Sequence, residues 1–162
     1  MKQIIYKERD CFRRLILSGS FDDACREHAV NMQCEELNNE LLALAFDVQN
    51  ILVYAFTCHL ITKNNCADYH HFAARIMSHP LCFIEDAYDV ALYHIKRVLE
   101  IAPEDIEAME MMMFFNTITD KLISDEAAIE IAGTILQKNP QNKTALEYMK
   151  GAQLQWKNER TL

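Results

Sequence analysis

The chain has 162 residues, of which 51% are apolar, and its 24 acidic and 16 basic side chains leave a net charge of −8. A chain of this length can bury a sizeable core, so we predict a single helical domain over residues 1–162. Three glycines and three prolines are too few for the turns of a β-sandwich or barrel, and they exclude glycine-rich phosphate loops.

Apolar residues recur every three or four positions along the whole chain, which is the pattern of amphipathic helices. In chain order, this periodicity predicts a first hairpin over residues 1–35 and a long helix over 36–62. A helix over 67–78 follows and ends before Pro80. The next predicted helix covers about 84–101.

Three further helices are predicted after Pro103, which stands at the first turn of the next helix. The first covers about 104–117, Ser124 caps a second helix that extends to about 138, and a capping helix covers 142–158. Because only short connections join these elements, we predict an all-α fold of about eight antiparallel helices.

Two features of the second half allow more than one interpretation. Met109 to Phe115 is apolar at six of seven positions, so this helix is either buried on several sides or leaves part of an adaptable apolar patch exposed. Trp156 either docks the last helix or anchors an interface.

Charge, hydropathy and cysteine content predict the type of partner and the compartment of the protein. The acidic surplus repels a phosphate backbone, so we expect no nucleic-acid partner. Residues 41–61 have about the length of a membrane span, but Asp47 interrupts them at a cost of about 3 kcal/mol on insertion scales, so we expect no membrane contact. The six cysteines favour reduced thiols and a cytoplasmic location, and the start of the chain lacks the apolar stretch of a secretory signal.

A repeat is present in the second half of the chain. Alignment of Pro103 with Pro140, an offset of 37 residues, superposes small or apolar residues before and after each proline. The superposed pairs are Ala91 with Ala128, Ile95 with Ala132, Val98 with Ile135, Leu99 with Leu136, Ala108 with Ala145, Met109 with Leu146 and Met112 with Met149. Small residues allow neighbouring helices to approach closely, and proline forces the chain to turn.

The segments that lead from Asp89 to Pro103 and from Asp125 to Pro140 resemble the second helix of a tetratricopeptide repeat, a helix–turn–helix unit of about 34 residues. The stretch over 19–24 resembles the start of the same helix in a third copy. The resemblance implies two repeat-like units, over 67–103 and 104–140, and stacked α-hairpins that form a short solenoid. An irregular helical bundle is the alternative architecture.

The resemblance also implies a function. In tetratricopeptide-like proteins the first helix of each hairpin lines a concave surface that holds a peptide or another protein. The positions that correspond to this surface, counted from the two prolines, are Glu107, Glu110, Phe114, Thr144 and Glu147. Chaperone-binding members of the family have basic residues and asparagine at these positions and bind a carboxylate. The acids here imply instead a basic or amphipathic partner segment and a non-catalytic protein.

Other functions stay open. The size and acidity are also typical of an immunity or antitoxin protein that neutralises a basic toxin. A metal-dependent regulator or an enzyme is a second alternative, based on the cluster of Cys58, His59, Cys66, His70, His71, His79 and Cys82. Its spacing corresponds to no site that we recognise, so we assign no metal, cofactor or catalytic residue. Exposed apolar helices leave a homodimer as a further alternative.

Overall fold

The computed structural model describes the backbone of residues 2–159 and the side chains of residues 9–152. Within this part the protein is all-α, as predicted, with nine α-helices, one short 3₁₀-helix and no strand. The helices are α1 (Lys2–Leu17), α2 (Phe21–Glu27), α3 (Cys34–Val48), α4 (Ile51–Lys63), α5 (Ala67–Ser78), α6 (Ala87–Ile101), α7 (Ile106–Thr117), α8 (Asp125–Lys138) and α9 (Lys143–Glu159), and the 3₁₀-helix is Ala29–Asn31.

The predicted long helix over 36–62 is wrong, because the chain breaks between α3 and α4. Gln49 adopts the left-handed conformation with a φ of 47°, which ends α3. The side chain of Asn50 then accepts a hydrogen bond from the backbone N–H of Leu52 at 2.9 Å. Asparagine is a strong N-cap residue, so Asn50 starts a new helix within a region whose apolar pattern predicts one continuous helix.

Pro103 also lies elsewhere than predicted. It lies in the turn before α7 and not in the first turn of the helix, which begins at Ile106. Asp105 caps α7 by accepting a hydrogen bond from the N–H of Ala108 at 2.9 Å. Ser124 caps α8 as predicted, through the N–H of Ala127 at 3.2 Å. These two caps determine where the second-half helices start.

The chain divides into two compact units, of which the first ends at Ile101 and the second begins at Ala102. In the first unit α5 packs extensively against α6 and also contacts α3 and α4, while α1 packs on α2 and α4. Aromatic and aliphatic side chains fill this core; the fully buried ones include Phe12, Ile16, Leu41, Phe56, Leu81 and Ile95. The apolar periodicity of the sequence does not indicate this division into two units. The single domain over residues 1–162 stays a prediction.

The second unit consists of α7, α8 and α9, and α7 contacts both of the other helices. Small side chains lie at these contacts, since Ala108, Ala128, Ala132 and Ala145 are completely buried. In the 37-residue alignment Ala91, Ile95 and Val98 of the first unit correspond to Ala128, Ala132 and Ile135, and all six are completely buried. The repeat therefore reflects a shared pattern of burial on the equivalent helices.

Two further expectations concern individual helices. Both interpretations of the apolar segment apply in part, because Met109, Met113 and Phe115 are buried whereas Phe114 is exposed. Trp156 lies outside the side chains that the structure describes. Among the described helices, none combines the length and the hydropathy required to cross a bilayer.

Candidate functional site

The second unit carries a groove between α7 and α9 with a volume of about 560 Å³. Helix α7 lines one side and α9 the other, and Lys121 contributes from the connection between α7 and α8. The lining residues from the two helices are Glu110, Met113, Phe114, Asn116 and Thr117 on α7, and Thr144, Glu147, Tyr148, Gly151 and Ala152 on α9.

Four of the five residues that the resemblance implies for partner binding line this groove: Glu110, Phe114, Thr144 and Glu147. Residues 110 and 114 share one face of α7 and residues 144 and 147 one face of α9, because they are four and three apart on their helices. The contact between α7 and α9 brings the two faces together. Glu107 is exposed on α7, one turn earlier, and is not among the residues that line the groove.

Apolar side chains form much of the groove. Met113 is almost completely buried, whereas Phe114 is 36% exposed beside it. On the α9 side Gly151 leaves space, since a Cβ atom added there would have no neighbour within 4 Å. The groove therefore combines the exposed ring of Phe114 on α7 with a stretch of α9, Gly151 and Ala152, that has only small side chains.

A hydrogen-bond network centred on buried Asn116 holds the helices around the groove. The Asn116 amide donates to the carbonyl of Ile123 at 2.9 Å and to the carboxylate of Asp125 at 2.7 Å. The Tyr148 hydroxyl donates to the Asn116 side-chain oxygen at 2.7 Å, which connects α9 to α7. The bonds from Asn116 and from Lys121 lower the pKa of Asp125, and burial raises the pKa of Tyr148.

Glu110 has a structural contact in addition to its place in the groove. Its carboxylate accepts a hydrogen bond from the Asn142 amide at 2.6 Å. Asn142 in turn caps α9 by accepting from the N–H of Ala145 at 2.9 Å. A carboxylate near a helix N-terminus is favoured by the helix dipole, so Glu110 helps to fix the start of α9 against α7.

The groove carries mixed charge. Glu110 and Glu147 supply two carboxylates from opposite helices, and Lys121 supplies an ammonium group that pairs with Asp125 at 2.9 Å. Sequence reasoning missed Asn116, Tyr148 and Lys121. Of these three residues, only Asn116 could have been singled out from the sequence, because it is a polar residue directly after the apolar segment that ends at Phe115.

The structure does not gather the Cys/His cluster over residues 58–82 into a metal site. Within residues 9–152, no three of its side chains place donor atoms close together. His79 and Cys82 are both exposed, and the His59 ring lies 3.2 Å from an oxygen of Asp22. The cluster is thus dispersed over α4, α5 and the turns that flank α5.

His70 belongs instead to a relay of polar groups in the first unit, in which both histidines are buried, Tyr54 is half-buried and Asn65 is exposed. Its Nε2 lies 2.8 Å from the side-chain oxygen of Asn65, and its Nδ1 lies 2.8 Å from Nδ1 of His94. The hydroxyl of Tyr54 lies 3.0 Å from Nε2 of His94. The side-chain oxygen of Asn65 can only accept, so the Nε2–H group of His70 donates to it. Nδ1 of His70 then accepts from the Nδ1–H group of His94. Nε2 of His94 in turn accepts from the Tyr54 hydroxyl.

Burial keeps both imidazoles of this relay neutral. It lowers the pKa of His94 to about 4, with a smaller contribution from His70. Burial also lowers the pKa of His70, as does the charge of Arg97, while Glu100 acts in the opposite direction. The two rings can therefore share one hydrogen bond at neutral pH, because neither carries a charge that would repel the other.

The chain matches no family model, and no curated protein and no solved structure is found to be similar to it.

Proposed function

We propose that the protein is a non-catalytic, tetratricopeptide-like binding module whose groove between α7 and α9 holds a basic or amphipathic segment of a partner protein. The observation that carries the proposal is the placement of Glu110, Phe114, Thr144 and Glu147 along one groove. The resemblance to tetratricopeptide repeats, counted from the two prolines, implies these positions without reference to the shape of the folded chain.

The shape of the groove suits side chains of a peptide. Its volume of about 560 Å³ lies within the range of binding cavities, about 300–1,000 Å³. An apolar side chain of the partner would contact Phe114 and enter the space beside Gly151. Exposed aromatic residues are frequent anchors at interfaces because they bury a large apolar area with few rotatable bonds.

Charge favours a basic partner segment. Glu147 is exposed at the groove, and the Glu110 carboxylate can accept further hydrogen bonds besides the one from Asn142. The ammonium group of Lys121 faces Asp125, which reduces its repulsion of a cation. Lysine or arginine residues flanking an apolar side chain would therefore match the two carboxylates, and the acidic whole chain would speed their approach.

A reducing compartment suits this protein, and we therefore place it in the cytoplasm. All six cysteines are free thiols, and four of them lie within helices α1 to α4. Disulfides persist mainly in oxidising compartments.

A displayed library of random peptides, selected on the full-length chain, tests the proposal. We expect selection of peptides with an apolar residue flanked by Lys or Arg, and an affinity that falls with added salt. Glu147→Lys and Phe114→Ser should each weaken binding of the selected peptides at least about tenfold, because they reverse a charge and remove an aromatic anchor.

Matched variants on α8 are the controls. Glu130→Lys makes the same charge change at an exposed position, and Ile129→Ser removes an apolar side chain that is 40% exposed, against 36% for Phe114. Gly151→Leu should block the groove, whereas Gly151→Ala should not. Peptides without basic residues, or equal loss in the α8 variants, would contradict the groove as the binding site.

A further inference from the structure

We infer that Cys11, Glu27 and His28 form a binding site for a divalent transition-metal ion of the zinc class. Cys11 lies on α1, Glu27 is the last residue of α2, and His28 follows it directly. One donor atom from each, the thiol sulfur, a carboxylate oxygen and a ring nitrogen, lies within 4.8 Å of the other two. No sequence motif indicates this site, because its cysteine is 16 residues from its acid.

The donor set selects the class of metal. Sulfur, imidazole nitrogen and carboxylate oxygen are the ligands that zinc uses in proteins, whereas calcium and magnesium require oxygen ligands. In a tetrahedral zinc site with bonds of about 2.0–2.3 Å, neighbouring donors lie roughly 3.3–3.8 Å apart. A contraction of up to about 1.5 Å between donor atoms therefore forms the site, and rotations of the exposed Glu27 side chain and of the Cys11 thiol can supply it.

The environment of His28 provides an independent indication. Its Nε2 is buried and makes no hydrogen bond within the part of the chain that the structure describes. Burying a polar nitrogen without a partner costs about 1–3 kcal/mol, and such groups in native proteins call for a specific reason. The ring packs against completely buried Phe12 at 5.6 Å between centroids, and the backbone N–H of His28 bonds to the carbonyl of Ala24. The imidazole is thus held in place by packing, as a metal ligand requires.

The surroundings favour a cation. A cavity of about 290 Å³ next to the cluster is lined by Glu27, His28, Glu36 and Glu40, with Arg9 as the basic residue of its lining. Arg9 and Arg13 both bind buried Glu40, at 3.2 and 2.6 Å. Their charge is therefore directed at Glu40 and not at the cluster.

Glu27 has only a weak competing partner. Its carboxylate lies 3.7 Å from the guanidinium group of Arg26, and both side chains are at least half exposed. Exposed pairs of this kind contribute little free energy. Three protein donors also leave a fourth position of a tetrahedral ion facing the cavity, where water or a residue of a partner can bind.

Bound metal would connect α1 to the end of α2. Helix α2 has only seven residues and passes into a 3₁₀ turn directly after His28, so its own hydrogen bonds hold it weakly. An ion that joins Cys11 to Glu27 and His28 stabilises the folded chain by a free energy that rises with the logarithm of its affinity and concentration. Metal concentration is then expected to control the order of this corner of the first unit.

Titration of the untagged, full-length apoprotein with Co²⁺ alone and with Zn²⁺ alone tests the site. We expect one equivalent of Co²⁺ to produce the charge-transfer absorption of a cobalt–thiolate bond, Zn²⁺ to displace it, and each ion to raise the melting temperature. Cys11→Ser should abolish the charge-transfer band. His28→Gln and Glu27→Gln should weaken binding by more than about tenfold, the least that loss of a supporting residue costs at metal sites.

Three matched variants separate a built site from adventitious binding. Cys25→Ser on α2, exposed His79→Gln and exposed Glu35→Gln remove the same groups elsewhere, and they should leave the Co²⁺ spectrum and affinity unchanged. The melting temperature of each apoprotein shows whether the variant folds. A band that survives in Cys11→Ser, equal losses in the control variants, or no band in the folded parent protein would overturn the inference.

Discussion

The two units of this protein use buried polar residues in opposite ways. In the first unit Tyr54, His94, His70 and Asn65 satisfy one another in a relay. In the second unit Asn116 receives a bond from Tyr148 and gives bonds to Ile123 and Asp125, so that its network extends to the wall of an open groove. The polar groups of the first unit therefore bond to one another around two buried histidines, whereas those of the second connect α7, α8 and α9 beside an open groove.

Removal of the Asn116 side chain should lower the free energy of unfolding more than the other changes considered below. Asn116→Ala leaves the Ile123 carbonyl and the Tyr148 hydroxyl without their partner in a buried position. We expect the free energy of unfolding to fall by about 3 kcal/mol, the sum of several lost bonds and the burial of unpaired groups. Urea denaturation followed by far-UV circular dichroism measures the change.

Tyr148→Phe is the graded control for Asn116→Ala. It removes one hydroxyl from the same network and should lower the free energy of unfolding by about 1 kcal/mol. A loss in Tyr148→Phe as large as that in Asn116→Ala would show that the network is not centred on Asn116.

Acidification should cause the next largest loss of stability, through the relay in the first unit. The pKa of His94 is about 4 in the folded chain, below the unfolded value of 6.5. As the pH falls below 6.5 the unfolded chain takes up a proton that folded His94 refuses, so stability decreases until the pH reaches about 4. We expect a loss of about 2–3 kcal/mol over this range and none from this group above it.

Denaturation curves recorded between pH 7 and 4 measure this loss. In the His94→Gln variant, whose side chain does not titrate, the free energy of unfolding should fall less over the same range. His79→Gln removes an exposed imidazole instead and serves as the control. The groups that face the relay are Tyr54, Asn65, Arg97 and Glu100. A profile that is equally steep in His94→Gln would assign the acid sensitivity to other groups.

The smallest expected effect concerns the two helical glycines of the second unit. A Cβ atom at Gly133 on α8 or at Gly151 on α9 would meet nothing within 4 Å, and neither residue has a positive φ. Each Gly→Ala substitution should therefore stabilise the protein by about 0.5–1 kcal/mol. Thermal melts measure the gain, and a destabilised Gly151→Ala variant would indicate that α9 packs more tightly at the groove than its geometry suggests.

Local patterns allowed part of the fold to be predicted. The boundaries of α5 agree with the predicted 67–78, because Pro80 prevents the helix from continuing. Ser124 caps α8 where a capping residue precedes two acids. The break at Gln49 and Asn50 was missed, because an apolar pattern continues through it and a cap is only one side-chain hydrogen bond.

The candidate sites differ in how far sequence could find them. Five positions on α7 and α9 were selected by their distance from the two prolines, and four of these five line the groove. The partners of Asn116 come from two separate segments, the start of α8 and α9, and the donors of the inferred metal site come from α1 and the end of α2. No local spacing relates such residues.

The amino-acid sequence by itself determined the all-α class, most helix boundaries and the inward positions of the small residues, because periodicity, caps and proline act within a few residues of one another. Only the tertiary structure decided which polar groups meet. The Tyr148 and Asn116 side chains are 32 residues apart, and those of His70 and His94 are 24 apart. Such pairs form where packed helices bring distant side chains within about 3 Å, and that distance depends on the core of each unit as a whole.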